Sequence, residues 1–239
     1  MTTRRIRLKE VAAPAADARI LAFEPADAGP FEFEPGQHVC LSATLNGEKF
    51  TGYYSIASRP HPAGRFELCI KPVADGSPLG EHLARIAPGD EFECSPPGGT
   101  FRLREPLRDT VFVAAGTGIT PFRAMLHDLL DGPEDRHQGR GITLIFGARH
   151  PDGLYFRGEF EQLQAKRPRF RFWPTISGPH ADWSGRRGRV QSHLDEALGN
   201  RRDATDVYIC GPRSMLDDVR ARLTASGFDE RAIHYEKYG

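Results

Sequence analysis

The chain has 239 residues, of which 39% are hydrophobic and 27% charged, a length and composition typical of one large or two small globular domains. Basic and acidic residues both number 32, so the net charge is zero, which excludes the strong overall charge of a nucleic-acid or membrane-surface binder. The four scattered cysteines lack CxxC spacing and the histidines lack metal-ligand spacing, so we predict no metal site.

The first hundred residues predict a β-structure. Six short segments carry β-branched, aromatic or alternating residues: RRIRLKEV, ARILAFEP, HVCLSATL, YYSIAS, FELCIKPV and EFECSP. Turn-forming pairs such as Pro35-Gly36 and Asn46-Gly47 separate them, and the single helical stretch runs from Leu79 to Ile86. Many short strands at regular spacing indicate a closed or nearly closed antiparallel β-barrel, which we predict for residues 1–104.

From residue 105 onward, strand patterns and helix patterns alternate. The strand patterns are TVFVAA, ITLIFGA, FRFWPTIS, DVYIC and AIHYEKY. The helix patterns are PFRAMLHDLLD, FRGEFEQLQAK, VQSHLDEAL and PRSMLDDVRARLTASG. This alternation predicts an α/β domain with a parallel sheet over residues 105–239.

A first glycine turn lies in TVFVAAGTGITPF, which predicts a buried strand, a turn and the start of a helix. Gly116 and Gly118 allow the backbone to approach a ligand closely, while Thr120 is expected to cap the helix and Pro121 to occupy its first position. A helix N-terminus at the end of a parallel strand presents N–H groups to an anion. A tight turn without a ligand explains the same residues, and the third glycine of the dinucleotide fingerprint is missing.

A second glycine turn lies in VYICGPRSM, where Cys210 ends a strand and Pro212 is expected at the first helical position. Taken alone, Cys210 is equally well explained as a small buried residue. Because the carboxyl ends of parallel strands meet at one edge of a sheet, the two glycine turns together outline a crevice.

These segments resemble, in chain order, the motifs of the ferredoxin–NADP reductase superfamily of flavin and pyridine-nucleotide oxidoreductases. FEPGQHVCL resembles the barrel strand of that family, and YYSIAS resembles its flavin-binding Arg-x-Tyr-Ser segment. IKPVADGSPLGEHLARIAPGDEFECSPPGGTF resembles the phosphate-binding loop and helix, with the Gly-Asp turn and the Pro-x-Gly-x-Phe stretch that follow. GTGITP and CGPRSM resemble the two nicotinamide-side signatures, and HYEKYG resembles the C-terminal segment beside the flavin. The resemblance covers essentially the whole chain.

The resemblance implies an FAD-binding barrel domain and an NAD(P)-binding domain, with the flavin ring at their junction. Tyr54 would stack on the isoalloxazine ring, and Ser55 would lie near flavin N5, the atom that takes the hydride. Since Tyr53 and Tyr54 alternate along a strand, one of the two could equally be a core residue. The rest of the flavin would be held at Ile70, Lys71, Val73, Gly76, Ser77 and Gly80.

The family also implies residues for the nicotinamide nucleotide and for hydride transfer. The nucleotide would be held at Gly116, Thr117, Gly118, Thr120, Pro121, Cys210, Gly211, Pro212 and Met215. Cys210 and Glu236 would border the nicotinamide and the flavin edge, and Tyr238 would be the terminal aromatic residue that shields the flavin. With Ser55, these three are the implied catalytic residues. Glu236 could instead be a surface charge on an edge strand, and Tyr238 a plain tail residue.

Two departures from the family pattern concern the flavin pyrophosphate. Gly52 stands where the family has an arginine that pairs with the phosphate, and Gly80 stands where it usually has serine or threonine. We expect FAD still, with Lys71, Arg59 or backbone amides compensating, and FMN as the alternative.

The choice of nucleotide depends on the segment after the third strand of the second domain. Relatives that prefer NADPH tend to have Ser-Arg there, whereas this chain has Ser177-Gly178 and no acidic residue for a free ribose hydroxyl. Arg186, Arg187 and Arg189 lie downstream and could neutralise a 2′-phosphate, or could form a solvated basic loop. We expect NADPH or NADH, with a slight preference for NADPH.

The resemblance implies an enzyme that passes electrons from NAD(P)H through FAD to a separate ferredoxin or flavodoxin. The alternatives are the reductase component of a multi-protein oxygenase or desaturase, a free-flavin reductase, and a flavin-binding module that lost turnover. No apolar run approaches the length of a membrane span, so we expect no membrane contact. We also expect a monomer that lies in the reducing cytoplasm and acts without nucleic acid.

Overall fold

The computed structural model describes residues 3–15, 17–27, 29, 31–72, 77–131, 136–137 and 139–238, and of residue 238 only the backbone. By its internal contacts the chain divides into two units. The first unit contains the residues up to Arg102 together with Arg123–Asp128. The second unit contains Leu103–Phe122 and the residues from Leu129 onward.

The first unit is a six-stranded antiparallel sheet with the strand order β4-β3-β6-β1-β2-β5. Its strands are β1 (Arg4–Ala15), β2 (Ala18–Pro25), β3 (His38–Leu45), β4 (Glu48–Ser55), β5 (Phe66–Ile70) and β6 (Glu91–Cys94). A single bridge, Ile56 to Leu68, links the residue after β4 to β5 at the other edge. The predicted antiparallel barrel is confirmed as a fold, although one bridge does not close it completely.

The core of the first unit is built from alternate residues of the strands and one helix. Strand β1 buries Ile6 and Leu8, and β3 buries Val39 and Leu41, as expected when one face of a strand is apolar. Helix α1 (Pro78–Arg85) covers this core and lies where the sequence predicts a helix. The guanidinium of Arg19 donates to the carbonyls of Leu83 and Ile86, which satisfies the end of α1.

The second unit is a parallel sheet with the strand order β10-β9-β8-β7-β11-β12. Its strands are β7 (Asp109–Ala115), β8 (Ile142–Ala148), β9 (Phe170–Ile176), β10 (Arg186–Arg187), β11 (Thr205–Pro212) and β12 (Ile233–Tyr238). The helices are α2 (Ile119–Leu130), of which Arg123–Asp128 belong to the first unit, α3 (Arg157–Lys166), α4 (Leu194–Leu198) and α5 (Arg213–Ala225). Strands β7, β8 and β11 are buried almost throughout, because helices cover a parallel sheet on both faces.

The structure differs from the expected elements in three places. Strand β4 begins at Glu48, because the turn at Asn46-Gly47 pairs Leu45 with Glu48 directly. The expected helix over VQSHLDEAL is a 3₁₀ turn at Val190–His193 followed by the five-residue α4, which Gly199 ends at a positive φ of 50°. The two-residue strand β10 has no sequence signal, since only its pairing with β9 defines it.

Candidate functional site

The surface expected to hold the flavin centres on Tyr54, whose ring lies over Gly52 on the same face of β4. A Cβ atom at Gly52 would lie 2.8 Å from the Tyr54 hydroxyl and 3.0 Å from Leu79 Cδ2. Tyr54 is half-buried against the core of the unit, and this burial, followed by the charge of Cys40, raises the pKa of its hydroxyl. The glycine at position 52 therefore makes room for a tyrosine that keeps its proton and can donate a hydrogen bond.

The two adjacent tyrosines have opposite surroundings. Tyr53 is 71% exposed and meets the ring of His38 edge-on, with ring centroids 5.5 Å apart. Tyr54 is the tyrosine that packs against the core, while Ser55 is buried at the end of β4. Neither Tyr53 nor Tyr54 is a fully buried core residue, because β4 is an edge strand of the sheet.

The start of α1 follows the expected helix-start chemistry. Ser77 is the N-cap, its hydroxyl oxygen accepts from the Gly80 N–H at 3.4 Å, and Pro78 occupies the first helical position. The free amides of a first turn attract phosphate, which fits the flavin pyrophosphate. Gly80 contributes its backbone there and no side chain.

The other expected flavin contacts are less uniform. Ile70 is buried at the end of β5, and the ammonium of Lys71 is 2.6 Å from the carboxylate of Asp17. Lys71 thus has a protein partner, so a phosphate would share its charge with that carboxylate. Val73 and Gly76 lie outside the described residues.

In the second unit, the two glycine turns touch through their backbones. A Cβ atom at Gly118 would lie 2.5 Å from the carbonyl carbon of Cys210 and 2.7 Å from Gly211 Cα. A Cβ atom at Gly211 would lie 3.1 Å from the Ala115 carbonyl oxygen. Strands β7 and β11 are neighbours in the sheet, so both turns lie at its carboxyl edge. Only glycine permits this close approach of the two turns.

The expected roles of Thr120, Pro121 and Pro212 at helix ends are wrong in detail. Helix α2 begins at Ile119 after a 3₁₀ turn over Gly116–Gly118, so Thr120 lies inside its first turn and Pro121 is its third residue. The buried Thr120 hydroxyl donates to the Thr117 carbonyl at 2.6 Å instead of capping the helix. Pro212 is the N-cap residue of α5 and precedes its first residue.

Cys210 and Glu236 are neighbours in the sheet of the second unit. They are paired residues of the parallel strands β11 and β12, and the next pair but one is Pro212 with Tyr238. Burial, followed by the negative charge of Glu236, raises the pKa of the Cys210 thiol well above its ordinary value. Cys210 is therefore a neutral thiol and not a nucleophile. The side chain of Tyr238 lies outside the described residues.

Two of the three arginines after β9 are engaged within the protein. The guanidinium of Arg186 donates to both carboxylate oxygens of Glu196, each at 2.6 Å, and lies 3.8 Å from the Trp173 ring centre. The Arg187 guanidinium donates to the carbonyls of His180 and Trp183. Arg189 is largely exposed, 3.7 Å from an Asp218 oxygen. The guanidinium groups that were expected to bind a 2′-phosphate are thus largely engaged with other groups of the protein.

A local steric constraint explains why a glycine, Gly178, follows Ser177. A Cβ atom at Gly178 would lie 2.5 Å from the carbonyl oxygen of Arg149, so an arginine at this position would need a backbone shift. The N–H of Ser177 donates to the Ala148 carbonyl, and that of Gly178 donates to Arg149. The end of β9 is therefore held against the end of β8.

Hydrogen bonds that the sequence does not predict hold the loop that carries Arg186, Arg187 and Arg189. The hydroxyl of Thr175 donates to the Gly188 carbonyl at 2.9 Å, so its oxygen accepts from Nε2 of His193 at 3.0 Å. Burial, followed by the positive charge of Arg186, lowers the pKa of His193. These residues lie on three separate segments, and no spacing rule joins them.

Two absences bear on function. Among the residues that the structure describes, no three His, Cys, Asp or Glu side chains gather as a metal site would require. None of the helices in the described ranges is both long and apolar enough to cross a membrane.

Comparisons with known proteins find matches for both parts of the chain. The family model of the oxidoreductase FAD-binding domain matches residues 5–103, and that of the oxidoreductase NAD-binding domain matches residues 112–221. "Ferredoxin--NADP reductase B" of Sorangium cellulosum is 37% identical over 228 residues, covering 92% of this chain and 91% of the relative. The "Phenol hydroxylase P5 protein" of Acinetobacter pittii is 33% identical, covering 87% of this chain but only 58% of that relative.

Solved structures share the fold. A ferredoxin NADP+ reductase from Neisseria gonorrhoeae "with bound FAD and NADP" superposes with a TM-score of 0.84 over 99% of both chains, at 22% identity. A β-sheet flavin domain followed by a parallel-sheet nucleotide domain defines a class of two-cofactor oxidoreductases.

The chain belongs to the ferredoxin–NADP reductase superfamily, as its motifs indicate. Its cofactors are FAD and either NADPH or NADH, and it is an NAD(P)H oxidoreductase. The structure fits both groups: the Tyr54–Gly52 face and the start of α1 suit a flavin, and the Gly118–Gly211 edge suits a nucleotide.

Proposed function

We propose that the protein is a reductase that passes electrons from NADPH or NADH through FAD to a separate small electron carrier of the ferredoxin or flavodoxin type. The single observation that supports this acceptor is the match to a ferredoxin–NADP reductase over 91% of that relative's length. The oxygenase-related protein is matched over little more than half of its length, so its acceptor is less directly transferable.

In this proposal the bound flavin supplies the redox chemistry, which converts a two-electron hydride into single electrons for the carrier. The chain's own residues bind and orient. Tyr54 offers a half-buried aromatic face, and its protonated hydroxyl can donate to the cofactor. Gly118 and Gly211 let the two turns pack closely at the sheet edge where the nucleotide is expected. Cys210 keeps its proton on Sγ, so it adds no second negative charge beside Glu236.

A second candidate is the reductase component of a multi-protein oxygenase. The 32% identity to the reductase component of a phenol 2-monooxygenase from a Pseudomonas strain favours it. In that case the same NAD(P)H and FAD chemistry would serve an oxygenase partner, and the acceptor alone would differ between the two functions.

The test is a panel of acceptors offered to the purified, flavin-loaded protein with NADPH or NADH. We expect a ferredoxin or a flavodoxin to be reduced with saturable kinetics, and free FMN or riboflavin to be reduced slowly. Reduction of free flavin with saturable kinetics and no reduction of any carrier would replace this proposal with a free-flavin reductase. Reduction of an artificial dye but of neither carrier would favour the oxygenase component.

A further inference from the structure

A cavity of about 170 Å³ lies in the second unit, at the edge of the parallel sheet where the strands begin. Asp109 and Thr205, the first residues of β7 and β11, contribute to its walls, and the two glycine turns lie at the opposite edge. A strand of seven residues such as β7 is about 20 Å long, so the cavity is separate from the expected nucleotide edge. A cavity of roughly 150 Å³ in another protein holds benzene, so this volume admits a ligand of similar size.

The floor of the cavity is one face of the sheet. Arg171, Thr143 and Val111 are paired in register across β9, β8 and β7, and paired residues of neighbouring strands share a face. Asp109 lies two residues before Val111 on the same face and pairs with Thr205 of β11. Val111 belongs to the apolar cluster of this face, so the polar floor begins where the apolar cluster ends.

The segment of residues 196–201, which contains the end of α4, forms the second wall. Leu198 is buried in the apolar cluster of the same sheet face, so it fixes this wall against the sheet. Helix α4 ends at Gly199, and the exposed Asn200 and Arg201 follow at the rim. The cavity is therefore bounded by a packed sheet on one side and by an anchored helix end on the other.

The two carboxylates of the lining are already paired with arginines. Oδ2 of the buried Asp109 lies 2.5 Å from the Arg201 guanidinium, and Oδ1 accepts from the Gly141 N–H at 2.9 Å. Glu196 accepts two hydrogen bonds from Arg186. Because each carboxylate has a charged partner, the lining offers little to a cation.

Two donors of the floor have no partner within the part of the chain that the structure describes. The guanidinium of Arg171 forms neither an ion pair nor a hydrogen bond with the described residues, and the hydroxyl of Thr143 forms no hydrogen bond with them. Thr143 is 6% exposed, and a buried hydroxyl without a partner costs free energy that a ligand oxygen would restore. The lining therefore has one uncompensated positive charge beside one unsatisfied hydroxyl.

We propose that this cavity binds a small carboxylate ion, with the carboxylate group held by the Arg171 guanidinium and the Thr143 hydroxyl. Both groups donate hydrogen bonds, and their strands are neighbours about 4.8 Å apart, so one carboxylate can accept from both. A single negative charge balances Arg171, whereas Asp109 and Glu196 would repel the larger charge of a phosphate. The inference goes beyond the proposed function and does not depend on FAD, the nucleotide or the electron acceptor.

The experiment is an NMR titration of the isotope-labelled, flavin-loaded full chain with lactate and, separately, with inorganic phosphate. Each titration is repeated with saturating NADP⁺ and with saturating NAD⁺, which occupy the nucleotide edge. We expect lactate to shift the amide signals of Gly141, Thr143 and Asn200 with a Kd on the order of 1 mM, unchanged by either nucleotide. Phosphate should shift these signals at least about tenfold more weakly.

Three variants test the residues. Arg171→Gln removes the charge and should weaken lactate binding by at least about tenfold, and Thr143→Val keeps the shape and should weaken it by about threefold. Arg231→Gln is the matched control, because it removes an arginine of the same unit whose side chain is 95% exposed outside the cavity. It should leave lactate binding unchanged.

The thermal midpoint of Thr143→Val without lactate gives an independent readout. Because the hydroxyl has no partner among the described residues, we expect this midpoint to equal or exceed that of the unaltered chain. A lower midpoint would show that the hydroxyl serves the fold and would count against the site.

Four results of the titrations would overturn the proposal. The first is the absence of shifts at the cavity up to about 50 mM lactate. The second is lactate shifts confined to Gly118 and Gly211, which would place the anion at the nucleotide edge. The third is equal weakening in Arg171→Gln and Arg231→Gln, which would show an effect of overall charge alone. The fourth is tighter binding of phosphate than of lactate.

Discussion

The two units differ in what their glycines make room for. In the first unit, Gly52 makes room for side chains, those of Tyr54 and Leu79. In the second unit, Gly118 makes room for the backbone at Cys210 and Gly211. A side chain can rotate away from an added methyl group, whereas a backbone carbonyl within a buried strand cannot. Replacing glycine with alanine should therefore lower the free energy of unfolding far more in the second unit than in the first.

The largest effect is expected for Gly118→Ala. The added methyl group would overlap the Cys210 carbonyl, so we predict a free energy of unfolding lower by about 3 kcal/mol and flavin reduction by NADPH or NADH slower by about 100-fold. Gly52→Ala should keep reduction within about tenfold, because Tyr54 can shift. Calorimetry and anaerobic rapid mixing measure the two quantities.

A matched control for that pair is Gly158→Ala, since a Cβ atom there meets nothing within 4 Å. It lies in α3, where alanine is favoured over glycine by roughly 0.5–1 kcal/mol. An equal loss in Gly118→Ala and Gly52→Ala would erase the proposed difference between the units.

A second prediction sharpens the account of the flavin unit. Tyr54→Ala removes the half-buried ring, so we expect FAD affinity to fall by roughly tenfold, while the exposed Tyr53→Ala changes it by less than about twofold. Tyr54→Phe keeps the ring and tests the hydroxyl alone. If Tyr53→Ala weakened FAD more than Tyr54→Ala, the outer face of β4 would be the flavin surface.

A third prediction concerns alkaline pH, at which the free energy of unfolding of both units should fall. Burial, followed by the charge of Cys40, raises the pKa of Cys94 in the first unit to about 12, and burial raises that of Cys210 in the second. Above the ordinary thiol pKa of 9.0, the unfolded chain releases protons that the folded chain retains. The free energy of unfolding should thus fall above about pH 9, by at most ~1.4 kcal/mol per pH unit for each thiol.

Replacing each cysteine with alanine tests the assignment of that pH dependence. The slope of the unfolding free energy between pH 9 and pH 10 should be smaller in Cys94→Ala and in Cys210→Ala. Cys40→Ala removes only the smaller of the two causes that raise the Cys94 pKa, so it should reduce the slope less than Cys94→Ala does. An unchanged slope in both buried variants would show that other groups, such as Tyr208, carry the effect.

The smallest effect is expected for Arg186→Ala. This change removes the contacts with Glu196 and Trp173, so we predict a loss of about 1 kcal/mol in the free energy of unfolding. The ratio of kcat/KM for NADPH to that for NADH should change by less than about twofold, because this guanidinium is already engaged. Arg189→Ala should cost little stability; a collapse of NADPH use in Arg186→Ala would restore the phosphate-binding role.

The longer strands and both glycine turns could be predicted because their signals are local. Alternation along β1 and the apolar runs of β7 and β11 each depend on a few consecutive residues. The positions of Thr120 and Pro121 could not, because a 3₁₀ turn before α2 moves the helix start by two residues. The partners of Arg186 lie in other elements, so only the packed sheet reveals that its charge is engaged.

We expect NADPH or NADH to reduce FAD held by this chain, and the electrons then to leave to a protein carrier. The most direct measurement is the visible spectrum of the purified protein without oxygen, before and after NADPH or NADH, and again after an oxidised ferredoxin or flavodoxin. We predict a yellow protein that either nucleotide bleaches and that the carrier restores. A protein that stays colourless with added FAD, or a bound flavin that neither nucleotide bleaches, would contradict the account.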